Sequence, residues 1–279
     1  MNLTFMKLDW RSCAIRRALR HVACRILMMV VCIAAGRQAL AYCDNLELGV
    51  PGTCDQIVNR EGYALGFSVR HRQALWVTYR MTGEEASAAN VSRRGHKFYT
   101  DCEVSGCATL ADYKASGYDR GHLAPAGDMK FSERAMLESF SLANASPQVK
   151  SFNCGVWHRL ETLTRKFAIR EKSLFVVTGP IFDAEEVSRI GASKVSVPKA
   201  FYKVIFDETP PMKMIGFIIP NKGVECPISS FAVTVDEVEQ VTGLDFFSAL
   251  PDEIEEALES HMDIADWNSA IAALISSAP

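Results

Sequence analysis

Asp119-Arg120-Gly121-His122 puts an acid, a guanidinium, a glycine and an imidazole in consecutive positions, inside a stretch from Tyr118 to Pro125 that has no apolar periodicity. A glycine there permits a close backbone approach that a Cβ would forbid. His122 can exchange a proton near neutral pH, and Arg120 can grip an anion with a fixed fork of donors. These groups suit chemistry on a phosphate. A second set lies downstream, where Asn153, Trp157, Glu161 and Arg165 follow one another at steps of four. On a helix each such step turns by about 40°, so the four side chains form one slowly winding band. Trp157 is expected to pack that helix against a sheet. Glu161 and Arg165 have a plainer alternative as an i,i+4 ion pair, and Asn153 as a helix N-cap, which does not exclude metal binding. The other histidines, among them His71, His96 and His158, show no metal-ligand spacing.

The elements that must position these residues are legible in outline. Residues 62–69 and 74–81 are β-branched and aromatic runs around a polar turn, which predicts a hairpin. Residues 82–117 lack periodicity and predict a long surface connection with a strand or two. Ser132 is a candidate N-cap for a short helix over 132–138. Residues 152–170 predict a longer helix, with Val156, Leu160, Leu163 and Phe167 on one apolar stripe. A buried strand over 173–178 is expected to stop at Gly179-Pro180, and 199–206 with 213–220 predict an antiparallel pair. Residues 231–242 and 252–265 predict helices, the second strongly acidic. The simplest account is one α+β domain, a central sheet flanked by helices.

Residues 1–41 predict a cleaved signal peptide. Six Lys and Arg precede residue 26 against one acid, Asp9, followed by ten apolar residues and the small-x-small triplet Ala39-Leu40-Ala41. The apolar run is short for a bilayer, which takes about 20 residues, so a retained anchor is the lesser alternative. This reading predicts an exported protein, periplasmic or extracellular, with no membrane contact after cleavage, and one domain over 42–279. Cys43, Cys54, Cys102, Cys107, Cys154 and Cys226 then remain, an even number in an oxidising compartment, which favours disulfides. Many pairings are possible; Cys43–Cys54, Cys102–Cys107 and Cys154–Cys226 is the guess from proximity. No CxxC pair supports a zinc site. The net charge of −3 argues against a nucleic-acid partner only until it is located, because Gly223 to Pro279 holds twelve acids and no Lys or Arg. The acidic C-terminal helices, about 223–279, are separate from a mildly basic remainder.

Taken together, Asp119-Arg120-Gly121-His122, Asn144-x-x-Pro147-Gln148 and Asn153-x-Gly155-x-Trp157-x-x-x-Glu161 resemble the DNA/RNA non-specific endonucleases of the ββα-metal type. Trp76 to Arg80, Val177 to Pro180, Val197 to Val204 and Thr242 to Phe247 are similar to further segments of that family, so the likeness spans nearly all of 60–250. The resemblance implies the ββα-metal (His-Me finger) fold with a mainly antiparallel central sheet, and a nuclease that cuts DNA and RNA to leave 5′-phosphates.

It also implies roles. His122 would be the general base for the attacking water, and Asn153 the direct ligand of Mg²⁺, with Mn²⁺ or another divalent cation as a substitute. A single neutral amide suffices because Mg²⁺ keeps several waters and completes its octahedron with substrate phosphate. Arg120 would stabilise charge on the phosphoryl group, and Glu161 would hold water of the ion's hydration shell. Asn144 and Gln148 would orient the loop and its waters, with Asp119 fixing the backbone near the base and Gly121 and Trp157 as structural support. Arg94, or its neighbour Arg93, and Arg165 would bind substrate phosphate. The alternatives are a nuclease restricted to DNA and a nucleic-acid-binding module without turnover. Oligomeric state stays open, a homodimer included.

Overall fold

The β-branched and aromatic runs form the backbone of the molecule. The computed structural model describes residues 44–183 and 187–267. The expected signal peptide over 1–41 and the pairing of Cys43 lie outside the described residues. Seven strands make one sheet in the order β1 (Gln56–Asn59), β2 (Ala64–Ser68), β3 (Gln73–Thr82), β6 (Ser173–Ile181), β9 (Ala200–Asp207), β10 (Lys213–Pro220) and β11 (Ala232–Val233), every neighbouring pair antiparallel. Two small two-stranded sheets stand apart, β4 (Asp119–His122) with β5 (Ala145–Gln148) and β7 (Arg189–Ile190) with β8 (Val195–Ser196).

The main sheet is covered on both faces, which is why β9 is buried along its whole length. Along β9 the side chains alternate as a pleat requires. Phe201 and Ile205 join a cluster with Trp157, Leu160, Leu163 and Phe167, whereas Tyr202, Val204 and Phe206 join one with Val235, Val238, Phe246 and Phe247. Each fully buried Leu or Phe of this kind contributes about 1.5–3 kcal/mol. The first cluster seats the helix α5 (His158–Glu171), and the second seats α6 (Val235–Thr242). A further helix, α7 (Asp252–Glu259), packs beside α6.

Strands β3 and β6 are neighbours, with Thr82 opposite Ser173, yet residues 83–172 run between them. The excursion is pinched at its base, where the Gly83 N–H donates to the Lys172 carbonyl at 2.7 Å. Along it lie α1 (Gly83–Ser87), α2 (Leu110–Tyr113), the strand β4, α3 (Glu133–Ser139), the strand β5, α4 (Lys150–Phe152) and α5. Ser132 caps α3 as its sequence predicts, its hydroxyl accepting from the N–H groups of Arg134 and Ala135. In place of the strands expected within 82–117 there is an isolated bridge between Tyr99 and Ser141.

Four boundaries differ from expectation. The helix predicted over 152–170 is interrupted, because Gly155 leaves helical geometry (φ −103°, ψ −114°) in a π-helical segment over Asn153–Trp157. Strand β6 runs on through Gly179-Pro180 to Ile181; past Thr178 it is paired to β9 alone, so the missing N–H of Pro180 disrupts no ladder to β3. The helix expected from 231 starts at Val235, where Thr234 and Glu237 form a capping box, and α7 ends at Glu259 rather than 265. Cys54, Cys102, Cys107, Cys154 and Cys226 are free, so the proposed pairs Cys102–Cys107 and Cys154–Cys226 are not formed. Among the described residues no helix is long and apolar enough to cross a membrane.

Candidate active site

Asp119-Arg120-Gly121-His122 is the strand β4 itself. It pairs in register with Ala145-Ser146-Pro147-Gln148, so that Gly121 faces Ser146 and His122 faces Ala145. A Cβ on Gly121 would overlap the Gln148 side chain, which explains the glycine by close approach. From this strand pair the chain leads through α4 to Asn153, giving two paired strands followed by a helix. The two ends are tied by one bond, Asn153 Nδ2 donating to Asp119 Oδ2 at 3.0 Å.

One cleft of about 1000 Å³ gathers the expected groups. Asp119, Arg120, His122, Asn153, Glu161 and Arg165 all line it, as do Arg93, Phe98 and His158. His122 is 8% exposed, its ring 4.6 Å from that of Phe98 and edge-on to Phe140 at 5.0 Å. Its Nε2 is sealed off without a hydrogen-bond partner. Burial first, and the Arg93 charge second, push its pKa down to about 3, so the imidazole is neutral at physiological pH. Arg120 is exposed, its guanidinium 5.3 Å above the Phe98 ring. Arg93 lies 5.8 Å over Phe140. Two basic groups and a neutral imidazole therefore share one aromatic wall.

Other expected residues sit elsewhere. Arg94 does not line the cleft and Arg93 does, so of the two candidates the geometry favours Arg93. Asn144 is fully buried and spent on backbone: it donates to the carbonyls of Ala124 and Ser139 and accepts from the Ala124 N–H. Gln148 is buried against Gly121, with neither amide atom bonded. Neither of these two reaches the cleft. Trp157 leaves the band for the core, its indole stacked on Phe152 and tilted against Phe201. The Glu161–Arg165 pair does not form. Glu161 lies 3.7 Å from His158 Nδ1, and Arg165 donates to Asp128 Oδ1 at 2.6 Å.

Three contributors were not foreseen from sequence. Asp128, 1% exposed in its side chain, accepts from both Arg165 and the Tyr79 hydroxyl. Lys203 is fully buried on β9, its Nζ without a hydrogen bond and 5.1 Å over the Trp157 ring. Burial lowers its pKa to about 8, against the raising influence of Glu161 and Asp128. His158 faces the cleft from the first turn of α5. Asp128 and Lys203 act through contacts distant in the chain and leave no local signal, while His158, three before Glu161, was visible as an i,i+3 pair.

A family model described as DNA/RNA non-specific endonuclease matches residues 43–253. The chain belongs to this family. It is 36% identical to nuclease C1 of Cunninghamella echinulata var. echinulata over 74% of this chain and 88% of that protein. It is 32% identical to the mitochondrial endonuclease G of Bos taurus over 85% and 86%. A crystal structure of an EndoG/EndoGI complex superposes with a TM-score of 0.70 at 31% identity, covering 74% of this chain and 91% of that one. The fold is thus the α+β ββα-metal nuclease fold, and the chain is a nucleic-acid-hydrolysing enzyme of a metal-dependent family.

The comparisons overturn the expected export. Endonuclease G of Bos taurus is named mitochondrial, and further relatives 32–35% identical carry the same designation, which runs against the expected export. The physical reason for the misreading lies in residues 1–41, whose many arginines and single acid are also the composition of a mitochondrial transit segment.

The cleft's donor set fits a hard divalent ion. Asp119 takes the Asn153 amide nitrogen, which leaves the amide oxygen Oδ1 available to a cation, and Glu161 adds a carboxylate from the next part of the same helical run. Among the described residues no group of three His, Cys, Asp or Glu side chains gathers in this cleft. Such a donor set suits an ion that keeps most of its water and is a poor cage for zinc.

Proposed function

We propose that the chain is a Mg²⁺-dependent endonuclease that hydrolyses phosphodiester bonds of DNA and RNA with little sequence preference, Mn²⁺ serving as a substitute. The observation that carries this reading is a buried, neutral His122 sharing one cleft with an Asn153 amide oriented by Asp119. His122 takes a proton from water at Nδ1, since Nε2 is sealed from the cleft. The water oxygen bonds to phosphorus as the bond to the 3′ oxygen breaks, leaving a 5′-phosphate. Asn153 Oδ1 would hold the divalent cation, which when bound would supply positive charge near the scissile phosphate and the departing oxygen. Arg120, joined by Arg93, grips the phosphoryl oxygens. Glu161 accepts hydrogen bonds from water on the cation side, and Asn144 and Gly121 hold the backbone on which His122 rides.

Phosphate contacts carry affinity but no sequence information, which supports the lack of preference and predicts a steep loss of activity with salt. Nicking of supercoiled plasmid in Mg²⁺ and in chelator tests the proposal. His122→Ala is expected to lose about 10²–10⁴ in kcat while retaining DNA, and Asn153→Ala to lose its response to Mg²⁺. Equal nicking by wild type and His122→Ala would sink it.

A further inference from the structure

The acidic C-terminal helices carry a feature that the nuclease chemistry does not use. Asp236 and Glu239, at i,i+3 on α6, meet Glu259 from the end of α7, and one carboxylate oxygen from each lies within 4.8 Å of the others. Glu259 is 5% exposed, and its Oε1 is buried with no hydrogen-bond partner. One turn earlier on α7, the Oε1 of Glu255 is likewise buried and unpartnered. Glu239 accepts from the Phe246 N–H at 2.7 Å. No Lys or Arg occurs from Gly223 to the end of the chain, so this segment offers no cation of its own. Burying a carboxylate without a partner is costly, and crowding it with others adds repulsion.

We propose that Asp236, Glu239 and Glu259 form a calcium site that clamps α6 to α7. Carboxylate oxygens from two helices, one buried and unpartnered, are hard donors of the kind Ca²⁺ takes. Carboxylates held by two separate helices suit the flexible shell of Ca²⁺, which takes about 6–8 oxygens, better than the near-ideal octahedron that Mg²⁺ demands. Three carboxylates leave room for waters to complete the shell. The ion would neutralise charge at the junction of the two helices and fasten the acidic end of the chain to the sheet through α6.

The test is thermal unfolding of the full chain, stripped with EDTA and then titrated with CaCl₂. Asn153→Ala serves as background so that calcium in the nuclease cleft does not contribute, and the readout is independent of activity, so failure of the nuclease assignment would not be mistaken for failure here. At calcium about a hundredfold above Kd, Tm is expected to rise by roughly 5–10 °C. Adding Glu259→Gln should abolish the rise, and adding Asp236→Asn, on an exposed residue, should weaken the calcium affinity at least about tenfold. In EDTA, Glu259→Gln should melt no lower than its parent, because it removes a buried charge that lacks a partner. An absent calcium shift, a shift unchanged by Glu259→Gln and Asp236→Asn, or a large drop of Glu259→Gln in EDTA would each overturn the site.

Discussion

Arg165 was expected to bind substrate, and the structure gives it a second task whose size can be worked out. Its guanidinium is 18% exposed and donates at 2.6 Å to Asp128, whose side chain is 1% exposed and also accepts from Tyr79 at 2.9 Å. Asp128→Asn keeps the shape and an acceptor for Tyr79 but removes the charge opposite Arg165. Removing one member of a buried pair costs about 3–5 kcal/mol. For a domain of this size each kcal/mol is worth roughly 2–4 °C, so Tm should fall by about 6–20 °C. Urea melts of Asp128→Asn, Arg165→Met and the double variant close a thermodynamic cycle, and the coupling should exceed about 2 kcal/mol. A loss below about 1 kcal/mol for Asp128→Asn, or simple additivity, would refute the reasoning. The same variants separate the two tasks: if Arg165 also grips phosphate, KM for DNA rises in Arg165→Met and stays near wild type in Asp128→Asn.

With burial and Arg93 holding His122 down to about 3, its neutral form persists well below its unfolded pKa near 6.5. The sign follows: this group stabilises least at low pH, its contribution being intact above about 6.5 and lost as pH falls toward 3. Hence kcat/KM in saturating Mg²⁺ should show no acid limb near 6.5, and a limb there that vanishes with His122→Ala would contradict the burial argument. Arg93→Ala should move the His122 pKa upward, read by NMR titration. Gly121→Ala should cost about 1–3 kcal/mol because its methyl overlaps the Gln148 side chain; Gln148→Ala in the same chain should restore part of it, and no recovery would count against the contact. Lys203→Met should stabilise at pH 7 by roughly 3 kcal/mol, since the lysine's pKa falls from 10.5 to about 8 on folding. Wild-type stability should rise as pH climbs from 8 to 10.5, closing the gap; chemical denaturation at pH 7 and pH 10 measures it.

The motif and the sheet were legible because each carries a local signal. Strands β3, β9 and β10 are dense in β-branched and aromatic residues, and a sheet covered on both faces tolerates apolar residues on both sides of a strand. His122, Arg120 and Asn153 were found from residue type and spacing and do share a cleft. Gly155 was read as part of a regular helix, since spacing alone does not reveal where a glycine leaves helical geometry. The choice between Arg93 and Arg94 rested on a segment without periodicity. Asn144 and Gln148 were picked correctly as neighbours of the motif, but residue type does not say whether an amide turns to water or to backbone. Asp128 and Lys203 owe their importance to partners far away in the chain. The disulfide guess followed from the assumed export and fell with the free thiols.

Thr82 and Ser173 face one another across adjacent strands while the entire reacting apparatus hangs between them. In evolutionary and engineering terms, the excursion over 83–172 is a cartridge on a pinched neck. Its ends are already at strand spacing, so loops within it can lengthen at an entropic cost that grows only logarithmically. Yet it is not dispensable, because Leu160, Leu163 and Phe167 of α5 roof one face of the sheet. A grafted replacement that keeps register at the neck must therefore also bring an apolar helix of its own, or the bare sheet would seek another chain to cover it.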